Sequence, residues 1–478
     1  VVMKKIGLLW FFFGLCFTLF GQTETEIETD PPIAEQTEGE VEIEAVTDQG
    51  ETEFKWELLT SGDKQTIVIT GYTGTETIIS VPDRMESIPV TAIGRGAFAG
   101  SRVTNVELPP GLTVIEERAF AGCASLRGIT IPETVTLIED WAFYGCSSLT
   151  GLNLPEELIA IGDEAFTDCS SLSTIVFPSK LISIGDWVFF RCTGLTSITL
   201  PVGLTALGDG VFAKCSKLTV ITIPEKVATI GDWAFYGCSS LNGFNVSEKN
   251  MNFISINGVL FDYTGSTLIS YAGNKRDLTY TIPTGVAYIA PGAFLDCTKL
   301  IEITFPPGAI TIGDAAFAGC GNLIRINLPA GNADIRNRAF ADCTSLKNIA
   351  FPAGNITIQK DAFARCKNLS TLTFSSGSVD VADAFADCSS LRAVSFSSGN
   401  VIIRPYAFTR RTSLESVSFY PGNTIISEYA FNGCSNLTNI TLAKNTQIKN
   451  YAFFGVPGKQ VYRESEPVML IRNPRNNS

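Results

Sequence analysis

Three residue types capable of chemistry define this 478-residue chain, one by its absence and two by their spacing. Histidine is missing altogether, which removes His-based triads, His general bases and His metal sites. Cysteine occurs 13 times. Twelve of these (Cys123, Cys146, Cys169, Cys192, Cys215, Cys238, Cys297, Cys320, Cys343, Cys366, Cys388 and Cys434) stand three residues after a recurrent phenylalanine. An acidic column runs in the same register through Asp140, Asp163, Asp186, Asp209, Asp232 and Asp314, with Glu117 and Glu428 as variants. The thiols could bridge and the carboxylates could hold cations. The plainer reading is that the thiols pack as small apolar groups. Ser101 and Arg411 occupy the Cys register without disturbing the pattern. Each carboxylate would then cap a short helical turn that follows it. No P-loop lysine motif is present, and Gly94-Arg-Gly-Ala-Phe-Ala-Gly100 lacks dinucleotide-loop spacing. Glu116-Glu117 and Glu156-Glu157 read as solvated loop carboxylates. No catalytic residue, metal site or cofactor is assigned.

The elements that position these columns follow from the phenylalanine itself. Its positions are Phe98, Phe120, Phe143, Phe166, Phe189, Phe212 and Phe235, then Phe294, Phe317, Phe340, Phe363, Phe385, Phe408, Phe431 and Phe453. The interval is nearly constant, with one longer gap between Phe235 and Phe294. A period of about 20–29 residues with Leu-x-x-Ile-x-Leu strands marks a leucine-rich-repeat solenoid, and this interval falls inside it. The predicted class is an α/β repeat solenoid of about 15 repeats, strand-rich with short helical turns, over 93–455. In residues 138–161, Asp140 caps the turn, while Ala142, Phe143 and Cys146 point inward. Ser147-Ser148 bend the chain, and Leu149, Leu152 and Leu154 alternate into the core. The gap from Phe235 to Phe294 predicts a β insertion at about 244–283, with Asn257-Gly258 as a hairpin turn. After residue 330 the return loops change to Gly-Asn pairs: Gly331-Asn332, Gly354-Asn355, Gly399-Asn400 and Gly422-Asn423. Residues 54–92 read as an N-terminal β cap, and 456–478 as a C-terminal cap or tail.

Composition sets the location. Lys4 and Lys5 precede an apolar run of about 15 residues, too short to span a bilayer, so 1–21 reads as an export signal. Residues 22–53 hold twelve acidic and no basic side chains, as expected of a disordered spacer. They account for most of the chain's net charge of −13. The repeats are nearly neutral and carry no basic stripe, which argues against nucleic acid as a partner. Membrane contact would be only through a possible N-terminal anchor.

Two surfaces are candidates for partners. One is an aromatic column: Trp141, Trp187 and Trp233 two residues before the marker Phe, with Tyr144, Phe190 and Tyr236 one residue after it. Tyr406, Tyr429 and Tyr451 extend the column. It could anchor a protein or stack on sugars, or simply cover the turns. The other is the outward strand face, rich in Thr and Ser (Thr150, Gly151, Asn153, Ser173, Thr174, Thr196, Ser197, Thr199, Thr219 and Thr222). Strand faces of solenoids are common docking surfaces.

Over roughly 54–455 the chain resembles the BspA-like, or treponemal-type, leucine-rich-repeat proteins. Three features carry the resemblance: Ile230-Gly-Asp-Trp-Ala-Phe-Tyr-Gly-Cys-Ser-Ser-Leu241; Ile69-Thr-Gly-Tyr-Thr-Gly74 through Ile88-Pro-Val-Thr-Ala-Ile93; and Ile256-Asn-Gly-Val-Leu-Phe261 to Tyr280-Thr-Ile-Pro283. The resemblance implies an exported protein at the cell surface, in the outer envelope or secreted, with a periplasmic location as the alternative. It also implies adhesion to host or cell-surface proteins, without shared catalytic or ligand residues. Glycan binding and a purely structural envelope role remain the other readings.

Overall fold

A computed structural model describes residues 53–397 and 399–457, and the backbone of the strands Val461–Arg463 and Glu466–Met469. The signal at 1–21, the spacer apart from Glu53, and most of the C-terminal tail lie outside the described residues.

Each repeat makes one coil: a buried corner, a front strand, a return loop and a back strand. In the repeat of Phe143 the front strand is Gly151–Asn153 and the back strand Ala160–Ile161. Both pair in parallel with the next repeat, Gly151 opposite Thr174 and Ala160 opposite Ser183. The back strands form a ten-stranded sheet from Phe54–Ser61 to Thr229–Ile230 and an eleven-stranded sheet from Phe253–Ile256 to Thr446–Ile448. At the N-terminal end a hairpin, Phe54–Ser61 with Lys64–Tyr72, closes the stack. There Phe54 and Tyr72 lie against Phe98 at 6.5 and 5.7 Å.

The core is a spine of phenylalanines. From Phe98 to Phe235 consecutive rings stack nearly parallel at 4.9–6.0 Å, and from Phe294 to Phe453 at 4.6–5.6 Å. Each such pair adds about 0.5–1.5 kcal/mol beyond its area burial. The twelve cysteines are free and buried beside the spine. Eleven donate their thiol to the carbonyl of the marker Phe one repeat back, as in Cys146 Sγ to Phe120 O, 3.2 Å. Burial pushes these thiols up, that of Cys238 to about 12, so none is an accessible thiolate.

Two expectations need correction. The first concerns helix: among the described residues there is none, and the architecture is all-β. The corner backbone alternates instead. The N–H groups of Trp141, Phe143 and Gly145 donate to Asp163, Ala165 and Thr167 of the next repeat at 2.8–2.9 Å. Those of Ala142, Tyr144 and Cys146 bond three residues back within the corner. Trp141 and Gly145 sit in the left-handed region, at φ 55° and 71°, which interrupts the consecutive right-handed residues a helix needs. The aspartates therefore do not cap helices. Four of them accept a backbone N–H from the aspartate of the following repeat: Asp163 N to Asp140 Oδ1, Asp186 N to Asp163 Oδ1, Asp209 N to Asp186 Oδ1 and Asp232 N to Asp209 Oδ1, all 2.7 Å; Asp314 accepts from Asn337 N at 3.0 Å.

The second correction is the count, which is about 17 turns rather than 15. Tyr271 lies one repeat length before Phe294 and stacks on it at 4.8 Å, so it is the spine residue of a further turn. The rest of the long gap is the hairpin Phe253–Ile256 with Val259–Asp262, turning through Asn257 and Gly258 at φ 52° and 77°. Both positive angles fit a type I′ turn. Alternation along this hairpin makes it a partition. Phe253 and Leu260 pack into the N-terminal core, Val259 and Phe261 into the C-terminal one.

The Gly-Asn loops of the second half stack backbone on backbone. A Cβ on Gly354, at φ 152°, would overlap the carbonyl oxygen of Gly331, whereas one on Gly308, at φ 117°, meets nothing within 4 Å. Gly308→Ala should therefore cost only the strain of its φ, about 1–3 kcal/mol. Gly354→Ala should cost well over twice that, read from paired denaturant melts. The cysteine column gives a further expectation: native protein should show none of its twelve column thiols reacting with a disulfide reagent until unfolded, and its melting temperature should not change with added reductant.

Candidate functional site

The corner alternation decides where the aromatic column points. The position two residues before the marker Phe is left-handed in repeat after repeat: Gly96, Arg118, Trp141, Glu164, Trp187, Gly210 and Trp233 all have φ between 53° and 65°. The side chain there leaves the core while the inward positions carry Ala142, Val188 and Ala234, all buried. Holding a non-glycine residue in this region costs about 1–2 kcal/mol, offset in each corner by the inter-repeat hydrogen bonds.

The six residues singled out from sequence do not form one continuous patch. Trp187, Phe190 and Trp233 share ring contacts: Trp187 to Phe190 edge-on at 5.4 Å, and Trp187 to Trp233 at 6.5 Å and 25°. The Trp pair reaches across an intervening turn because that turn has Gly210; a Cβ there would overlap the Trp187 ring. Trp233 in turn lies over Gly292, the corner glycine beyond the insertion. Trp141 and Tyr144 belong to the corner before Glu164 and Thr167. Tyr144 is 39% exposed; the other five are half-buried.

Charges lie on the ring faces. The Arg118 guanidinium sits 4.7 Å above Trp141, Arg191 5.0 Å from Phe190, and Lys214 Nζ 5.2 Å from Tyr236. Trp141 also donates its indole N–H to Glu164, whose carboxyl is nonetheless raised, chiefly by burial. Tyr236 bonds Asp296; burial first, and that carboxylate second, push its hydroxyl up to about 12. In the second half the ridge position carries Ala315, Arg338, Asp361 and Asp383, over a small buried cluster of Ala315, Ala318, Ala341 and Ala364. The ridge ends in Tyr406, Tyr429 and Tyr451, parallel at 5.5 and 5.3 Å, with Tyr406 and Tyr451 50% and 55% exposed. Several aromatic faces meet a cation or one another, and the ridge also offers a partner ring edges, hydroxyls and interleaved charge.

The strand face holds the feature that sequence reasoning located only in part. A groove of about 980 Å³ runs over the front strands Ile78–Ser80, Asn105–Glu107, Gly128–Thr130 and Gly151–Asn153 to Thr174. Thr174, Gly151 and Asn153 were anticipated; Ile78, Asn105 and Gly128 were not, although outward glycines on successive repeats signal a notch. No cluster of three or more Cys, Asp or Glu able to hold a metal occurs among the described residues, and no helix among them is long and apolar enough to cross a membrane.

With this geometry in hand, comparison with known proteins places the chain. The BspA type leucine-rich repeat region, six copies long, matches residues 91–218, 160–279, 270–383 and 381–463. The protein belongs to the BspA-type leucine-rich-repeat family. Among solved structures it is similar to a leucine-rich cell surface protein from Faecalibacterium prausnitzii, with 27% identity and a TM-score of 0.55 over 73% of this chain and 95% of that one. The pneumococcal vaccine antigen PcpA shares the fold at 21% identity and a TM-score of 0.54, over 79% of this chain and 93% of that one. A leucine-rich repeat protein from Eubacterium ventriosum does so at 23% and 0.51, over 84% and 92%. No curated protein matches significantly.

The acidic column carries a pH signature. Burial first, then the neighbouring carboxylates of the column, raise Asp163 and Asp232; Asp209 is raised likewise. A carboxyl raised in the folded state binds its proton more tightly there, so its contribution to stability is present at low pH and lost as pH climbs from about 4 through the raised value. Asp163→Asn keeps the acceptor and removes the charge; the return loops of the second half use neutral acceptors in the same way, Asn332 and Asn355 accepting Asn355 N and Ser378 N at 3.0 Å. Its melting temperature should exceed the parent's at pH 7 and converge with it near pH 4. Asp163→Ala, which loses the acceptor, should be about 1 kcal/mol less stable.

Proposed function

We propose that this protein is an exported, cell-surface scaffold that binds proteins through its corner ridge, as an adhesin-like factor for host matrix, serum or other cell-surface proteins, without catalysis. The observation that carries the reading is the interleaving of Trp141, Trp187 and Trp233 with Arg118, Glu164, Arg191 and Lys214 on a rigid, outward row. Aromatic and Arg side chains dominate binding energy at protein interfaces, and a solenoid holds them at fixed spacing without ordering cost. Family membership and the likeness to a cell surface protein of Faecalibacterium prausnitzii support display outside the cell. The signal read at 1–21 is consistent with that display.

Binding of glycans by ring stacking is the less favoured reading, because a sugar needs an open aromatic face, whereas Trp141 carries Arg118 on a face and Trp187 packs toward Trp233. The test measures binding of the full chain to immobilised matrix and serum proteins and to a glycan array, alongside protease accessibility on intact cells. Trp187→Ala is expected to weaken protein binding about 30-fold, the effect of losing roughly 2 kcal/mol at a central anchor. Loss of glycan binding with protein binding retained would support a carbohydrate-binding module instead. Protection from protease until permeabilisation would sink the adhesin reading.

A further inference from the structure

We infer that the front-strand groove is a second docking site, separate from the ridge, for an extended polypeptide segment carrying a basic side chain. Two outward rows follow the repeat register, Asn105 beside Gly128 and Gly151 beside Thr174 in one, Glu107 beside Thr130 and Asn153 beside Val176 in the other, with the sheet interrupted between Gly128–Thr130 and Gly151–Asn153. Rows two residues apart along a strand are about 6.6–7 Å apart, and neighbouring strands about 4.8 Å.

The glycines give the channel its shape. Neither Gly128 nor Gly151 has a left-handed φ, so backbone conformation does not require glycine at either position. A Cβ at Gly151 would come 3.0 Å from Thr174 Oγ1, and one at Gly128 3.2 Å from Asn105 Nδ2. Any side chain there would fill the channel rather than the core. Their absence opens a notch two turns wide between Asn105 and Thr174. Ile78, 72% exposed, stands at one end and Val176, 59% exposed, at the other.

The chemistry selects the occupant. The groove is lined by two acidic residues, Glu107 and Glu133, and by no Lys or Arg. Glu156 continues the acidic rim, donating its backbone N–H to Glu133 Oε2 at 2.9 Å. The base next to the groove in sequence is Arg127, exposed and directly before Gly128, on the side away from Thr130 and the Glu107 row. Residues 53–283 as a whole carry 24 acidic and 15 basic side chains, against 11 and 14 in 284–457. The negative field is thus centred on the half that holds the groove. Asn105 and Asn153 each offer an amide donor and acceptor, the complement of a peptide group. No aromatic residue lines the groove, so a sugar would find no stacking platform.

The test uses the full chain and a fluorescein-labelled peptide, Gly-Thr-Lys-Val-Lys-Thr-Gly, with a twin in which both Lys are Glu, read by anisotropy. The Lys peptide is expected to bind at low salt and weaken severalfold at high salt as the exposed charges are screened, while the Glu twin does not bind. Gly151→Val should abolish binding without changing the melt by more than a surface substitution. Glu107→Gln with Glu133→Gln should weaken binding about 3- to 10-fold. Trp187→Ala should leave it unchanged, which separates this site from the ridge. Failure of the Lys peptide to bind, equal binding of the twin, indifference to Gly151→Val, or occupation by a neutral oligosaccharide instead would each overturn the inference.

Discussion

The structure depends on the division of the corner amides. Alternate N–H groups of each corner bond forward to the next repeat, and those between them bond backward within the corner. A helix would keep every amide to itself and leave adjacent corners joined by side chains alone. A plain strand would send none back and could not turn. The mixed pattern needs a left-handed residue at two positions per corner. It returns a ladder through the corners from Phe98 to Phe212 and again beyond the insertion, interrupted at the corners of Phe235 and Phe385.

The other regularities follow from that ladder. With corners locked in register, the marker Phe of each repeat falls on the one before, and the rings stack nearly parallel through both halves. The thiol three residues later meets the carbonyl of the preceding Phe, which explains a small polar-capable hydrophobe at a fully buried site better than a disulfide or a metal would. The left-handed position also turns its side chain outward. The strain that makes the corner possible therefore also displays the Trp and Tyr ridge, at spacings set by the stack. Where a glycine takes that position, as at Gly210 and Gly292, the neighbouring Trp ring spreads over it. The ridge thus doubles as cover for the turns.

Much of this was legible in sequence, and what was not has physical causes. The shared register of Phe and Cys disclosed the solenoid, the buried columns and the outward aromatics, because burial in a repeat fixes residue type at fixed spacing. Helix was expected from Asp-x-Ala-Phe because Asp is a common cap and Ala a good helix former; local propensity yielded to inter-repeat bonding. The contrary signal was available, since a column where Gly96, Gly210 and Gly292 alternate with Arg, Glu and Trp suits a left-handed φ. Tyr271 was missed as a spine residue because the pattern was followed by Phe alone, although its ring does the same work one repeat before Phe294. The groove was seen only in part: concavity arises from side chains that are absent, and two glycines in ordinary strand conformation leave little trace in a pattern.

Amide hydrogen exchange at the corners tests the central claim most directly, namely that the ridge is held preformed by the divided ladder. Peptides covering 139–149 and 185–195 should be as protected as the back strands, with Trp141, Phe143, Gly145 and Trp187 among the slow amides. Exchange there as fast as in the exposed return loops would contradict it. The corners would then be ordered only by packing, and the aromatic row would not stand ready for a partner.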